Sequence, residues 1–160
     1  MAFRSHALGT WVPLGIDPDT GEQIRLKLRP IPPSLHLKIN RRHGYRENAS
    51  PDVVSAIIRE KARYALLDSE HFSIVLESHE DGEEFSKALG SEVEIGEPLS
   101  LDGRWNAAVA DVLFERVPIQ VKGVDDEGKP RSWPLDFWII RQADKLGAIE
   151  GEREEALGKA

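Results

Sequence analysis

The sequence contains no cysteine. That excludes a disulfide framework and a thiolate metal site, and it permits a reducing compartment. No window approaches the roughly 20 apolar residues of a membrane-spanning helix. The opening residues Met1-Ala2-Phe3-Arg4-Ser5-His6 lack the apolar run of a signal peptide, so the expectation is a soluble, cytoplasmic protein of whatever cell makes it. There is no internal repeat, which argues against a solenoid. There is also no Gly-x-x-x-x-Gly-Lys-Ser/Thr loop for phosphate, no Gly-x-Ser-x-Gly elbow and no His-Glu-x-x-His pair.

What is present is one domain's worth of chain. At 160 residues with 40% hydrophobic and 31% charged residues, the composition supports a modest core with much wet surface. The formal net charge of −7 is unevenly spread. Residues 1–46 carry eight Lys/Arg against three Asp/Glu, whereas residues 47–160 carry 13 against 25. The two halves can attract each other, or each can meet a partner of opposite sign.

Along the chain, Ile24, Leu26 and Leu28 alternate with Arg25, Lys27 and Arg29, and Asp17-Pro18-Asp19-Thr20-Gly21 separates this run from Thr10–Ile16. Period-two patterning around such a connection predicts a β-hairpin with one buried face. A short helix is expected over Ser34–His43, between Pro33 and Gly44, although Leu35–Ile39 also alternates like a strand. Ser50 followed by Pro51 opens a stronger helix, with Val53, Val54, Ile57, Ile58, Ala62, Ala65 and Leu66 on its apolar face. Glu70–Leu76 is ambiguous, since Phe72–Leu76 could be a buried strand or a helical turn, and helix and strand readings stay balanced as far as Leu99. An acidic helix from about Glu80 should end at Gly90, and Val93 and Ile95 suggest a brief strand. Asp102 is expected to cap a helix from Gly103 to about Glu115, stopped by Pro118. Asp125–Pro130 is a turn, and Ser132 and Pro134 begin a last helix that ends near Gly147. The predicted fold class is α+β, helix-dominant, an N-terminal β-hairpin followed by several amphipathic helices. Residues 1–149 form the domain and residues 150–160 a charged, disordered tail.

No catalytic residue emerges. The serines fall at helix starts, where capping explains them. His71, His79, Glu80, Asp81 and Glu70 are suitable metal-ligand types without a ligand spacing, so no metal or other cofactor is expected. The most conspicuous charged feature is residues 25–46, which hold Arg25, Lys27, Arg29, Lys38, Arg41, Arg42 and Arg46 without one acid. Nucleic acid would reward such a run through counterion release. The outward face of a strand and the end of a helix account for most of it, and a solvated or partner-facing patch is preferred. Trp105 reads as core, while Trp133 or Trp138 could anchor a partner.

The pattern Ile24-x-Leu26-x-Leu28-Arg29-Pro30-Ile31-Pro32, followed by a basic segment ending Arg41-Arg42-His43-Gly44, resembles the front of the tail-assembly chaperones of long-tailed bacteriophages. So does the later order: a helix ending near Glu115-Arg116-Val117, then Lys122-Gly123-Val124-Asp125-Asp126-Glu127-Gly128-Lys129-Pro130, then a helix. Where that family commonly has Trp before the Lys-Gly pair, this chain has Val121. The resemblance implies a non-enzymatic helper that coats the helical tape-measure protein and is displaced as tail-tube subunits polymerise. The partner-binding residues expected are Trp133, Leu135, Trp138 and Ile139, with Arg41 and Arg42 as a second contact. A homo-oligomer is compatible with this role, and a membrane is not involved. The competing readings are a structural neck or tail protein of the virion and a small nucleic-acid-binding regulator using residues 25–46.

Overall fold

Alternation at Gln23–Leu28 places Leu26 and Leu28 in the core and leaves Arg25 and Lys27 on the outer sheet face. In the computed structural model, which describes residues 9–158 and the side-chain surroundings of residues 9–148, this segment is β2 and pairs antiparallel with β1, Thr10–Ile16. The ladder shifts register between Pro13 and Gly15. Proline has no N–H for a ladder, and β1 is an edge strand, where this is tolerated. On the outer face the Trp11 ring lies beneath Arg25 at 5.1 Å and Lys27 at 5.9 Å.

After Pro30-Ile31-Pro32 come α1, Pro33–Arg42, and α2, Pro51–Ala65. Ser50 caps α2 through Val53 N, as its sequence position suggests. The chain then enters β3, Leu66–Glu70, which pairs with the other side of β2, and β4, Ser73–Val75. The segment left open between helix and strand is therefore extended on both sides of a tight turn. His71, at the turn, has φ 60°, the left-handed region that favours glycine. Helix α3, His79–Leu89, begins at a Ser78 cap and ends at left-handed Gly90. Strand β5 is Pro98–Ser100, paired with β4; Val93 and Ile95 lie outside any strand. Helix α4 is Ala107–Arg116, and β6, Gln120–Val124, pairs with β7, Pro130–Pro134. Helix α5, Leu135–Gly158, packs along α2 and touches β2 and the last hairpin.

The predicted helix-dominant class is corrected. Strands recur after α2, α3 and α4, giving seven strands in three small antiparallel sheets among the described residues. The physical reason is length. Strands of three to five residues with polar side chains carry almost no period-two signal, so their pattern is lost beside helices of ten or more residues. Three local expectations change with it. Asn106, not Asp102, caps α4. Ser132 and Pro134 belong to β7 rather than to a helix start. Gly147 does not end α5, whose backbone continues to Gly158. The expected tail at 150–160 falls on residues whose side chains, and at 159 and 160 the backbone too, lie outside the described residues.

The core runs from Leu26 and Leu28 through Ala62, Phe72 and Phe85 to Leu113, Trp138 and Ile139. Among the described residues, all three sheets and all five helices border it, so the groups on the outer rims of α1 and α5 are held on a packed base. Among the described residues no helix is long and apolar enough to cross a membrane.

Candidate functional site

Helix α1 has two faces set by the spacing of its apolar residues. Leu35 and Ile39, four apart, turn inward, and Ile39 is 2% exposed. Leu37 lies between them in sequence and so on the opposite side; it is 56% exposed. Ser34, Lys38 and Arg41 share that outer face. Such a large exposed leucine is informative only where it joins further apolar surface. Here it does. Ile31, Pro33 and Leu37 from the α1 side and Gly147 and Ala148 from α5 line an open groove of about 640 Å³. His36 Nε2 and Asp144 Oδ1, 3.0 Å apart, tie the two helices along its length. At Gly147, α5 runs beside Pro30 with room for a methyl group: a Cβ there would stand 3.6 Å from the proline ring, an ordinary van der Waals contact.

The residues expected from sequence to bind a partner are dispersed. Leu135, Trp138 and Ile139 are 4%, 6% and 0% exposed and belong to the core, which corrects their expected role as surface contacts. The reason is that this turn of α5 lies over the interior, so its apolar stripe is consumed by packing. Trp133 is half-buried on β7. Its ring sits where a Cβ on Gly123 would fall, 2.6 Å from Cζ3, and Arg141 stacks at 4.8 Å. Arg42 is ion-paired with Glu60, which also meets His43 at 2.7 Å. Arg41 and Arg42 are both exposed on α1, but Arg42 is held by Glu60, and Arg41 stands on the outer face beside Leu37. The groove residues Leu37, Asp144, Gly147 and Ala148 were missed by sequence reasoning. The signal for Leu37 was available: once Leu35 and Ile39 are taken as the buried pair of a helix, Leu37 must point away.

The long basic stretch does not form one stripe. Arg25 pairs with Glu70 and stacks on Trp11, Arg29 stacks on Tyr64, and Arg42 meets Glu60. Lys38 and Arg41 remain together on the outer α1 face.

Two polar clusters invite a chemical reading. Ser69 Oγ donates to Asp102 Oδ1 at 2.6 Å and accepts the Trp105 indole N–H at 2.8 Å. Asp102 also accepts the backbone N–H of His71 at 2.8 Å and of Phe72 at 3.1 Å. No imidazole is bonded to Ser69 Oγ among the described residues, and the cluster staples the β3–β4 turn to the loop before α4. The metal-ligand types noted in the sequence are separated. His71 faces Glu22 and Glu70, while Glu80 and Asp81 face Arg116. Among the described residues no group of three or more such side chains stands together. Asp125 is held below the ordinary aspartate pKa by the backbone N–H of Lys129 first, then by that of Glu127 and by Arg131. It closes the β6–β7 turn.

No protein-family model matches the chain, and neither a characterised protein nor a solved structure is significantly similar to it.

Proposed function

We propose that this chain is a non-enzymatic tail-assembly chaperone of a long-tailed bacteriophage or prophage, acting in the host cell cytoplasm. Its partner would be a tape-measure helix, a tail-tube subunit or both. The observation that carries the reading is the groove between α1 and α5. A partner helix with an apolar stripe can lay that stripe over Ile31, Leu37 and Ala148, the helix-in-groove mode of recognition. Lys38 and Arg41 on the adjoining α1 face favour a partner with acidic residues along one flank. The sequence resemblance around residues 24–44 and 115–130 supplies the biological role.

Affinity capture of the tagged full chain from cells making the whole tail gene set, with mass spectrometry of the eluate, tests the proposal. A long helical tape-measure-like protein or tube subunit is expected there, and the chain itself should be missing from purified particles. Stoichiometric presence in particles would make it a structural tail protein instead. Recovery of nucleic acid alone would overturn the proposal.

A further inference from the structure

The inner face of α1 borders a second cleft, separate from the groove above and of about 400 Å³, within the size range of small-molecule sites. Leu35, Ile39, Leu66 and Trp105 supply its apolar lining. Arg29, at the end of β2, enters it in a fixed pose. Its Nε donates to the Tyr64 carbonyl oxygen at 2.8 Å, and its guanidinium lies 3.8 Å over the Tyr64 ring. The other two arginines of the cleft are neutralised: Arg42 by Glu60, and Arg63 by Asp111 at 2.7 Å. Arg29 has no carboxylate partner among the described residues, so its terminal N–H groups form an unoccupied fork. Asn106 and Ala107, at the start of α4, stand on the same cleft and add the partial positive charge of a helix N-terminus.

We propose that this cleft binds a carboxylate carried on an apolar body, with the Arg29 guanidinium as its receptor. A planar fork held by stacking matches a carboxylate through two parallel N–H···O bonds, and pre-organisation reduces the ordering cost of forming them. One uncompensated positive charge suits a monoanion better than a phosphate dianion. The apolar lining accounts for the body attached to it. A free amphipathic acid and the C-terminal carboxylate of a peptide present the same chemistry.

The test is a titration of the ¹⁵N-labelled full chain, following the Arg29 Nε–H and Trp105 indole N–H signals. The probes are 4-phenylbutyrate, its amide, inorganic phosphate, and N-acetyl-Leu-Phe as acid and amide. Saturable shifts of both signals with phenylbutyrate are expected, with at least tenfold weaker binding of its amide and of phosphate. Arg29→Gln should weaken the acid at least tenfold, and the outer-groove variant Leu37→Asp should leave it unchanged, which separates this site from the partner groove. Tighter binding of N-acetyl-Leu-Phe acid than of phenylbutyrate identifies a peptide terminus as the source, and the reverse a free acid. No saturable shift, or equal affinity for acid and amide, would overturn the proposal. So would phosphate binding as tightly as phenylbutyrate. The acid–amide comparison uses the unaltered chain and does not depend on any variant folding.

Discussion

Replacing Asp102 with alanine should be among the most damaging polar substitutions in this protein. Its carboxylate accepts three hydrogen bonds: from Ser69 Oγ and from the backbone N–H groups of His71 and Phe72. Two of these hold a turn in which His71 adopts φ 60°, a conformation that costs about 1–3 kcal/mol outside glycine. Ser69 is 3% exposed, so its hydroxyl would keep only the Trp105 indole N–H. A hydrogen bond to a charged group contributes about 1.5–3 kcal/mol. Three onto one half-exposed carboxylate are not additive, so the expected loss is about 2–4 kcal/mol. In a domain of this size that lowers the melting temperature by about 4–16 °C. The comparison variant is Asn106→Ala, which removes the α4 cap to Val109 N at 2.9 Å and should cost only about 1 kcal/mol. Urea unfolding followed by tryptophan fluorescence measures both. Had Asp102 been the helix cap that its sequence position suggests, the order would reverse. An Asp102→Ala loss under 1 kcal/mol, with a larger one for Asn106→Ala, would refute the reasoning.

Trp138→Ala should cost about 3–5 kcal/mol, because it empties a core site; an unchanged melting temperature would return Trp138 to the surface role first expected of it. The β6–β7 turn should respond to acid. Asp125 has a depressed pKa in the folded chain, so its contribution is present at neutral pH and is lost as pH falls below 3.8 through that lowered value. Amide signals of Glu127 and Lys129 should report this loss, and Asp125→Asn should remove the pH response of those two amides in that range. A response of the same size in Asp125→Asn would contradict it. Gly123→Ala should displace the Trp133 ring and cost about 1–3 kcal/mol, measured by the same urea unfolding; no loss would mean that the indole is free to swing away.

Much of the first half was legible in the sequence because its signals are local and strong. The alternation at 24–28, Ser50-Pro51 and Gly90 each specify a backbone state through side-chain period, capping or left-handed conformation. Asp102 was read as a cap because aspartate before a polar stretch commonly is one. What decided its role was Ser69 and the His71 turn, about thirty residues distant. Similarly, Lys122 and Ser132 face each other across a hairpin, while Ser132 before Pro134 reads equally well as the beginning of a helix. The spacing of Leu135, Trp138 and Ile139 marks one apolar face of a helix, but whether that face meets the core or a partner depends on how α5 lies over the interior. Most of the groove escaped notice because it joins residues 31–37 to residues 144–148, a pairing that exists only after folding.

The most direct measurement of the central claim compares Leu37→Asp with the unaltered chain in affinity capture and thermal unfolding. Leu37 is 56% exposed, so the melting temperature should move by no more than about 2 °C. The account predicts at least a tenfold loss of the captured tape-measure or tube protein, since a carboxylate would stand in the groove where an apolar stripe must pack. Undiminished capture by a normally folded Leu37→Asp chain would contradict it.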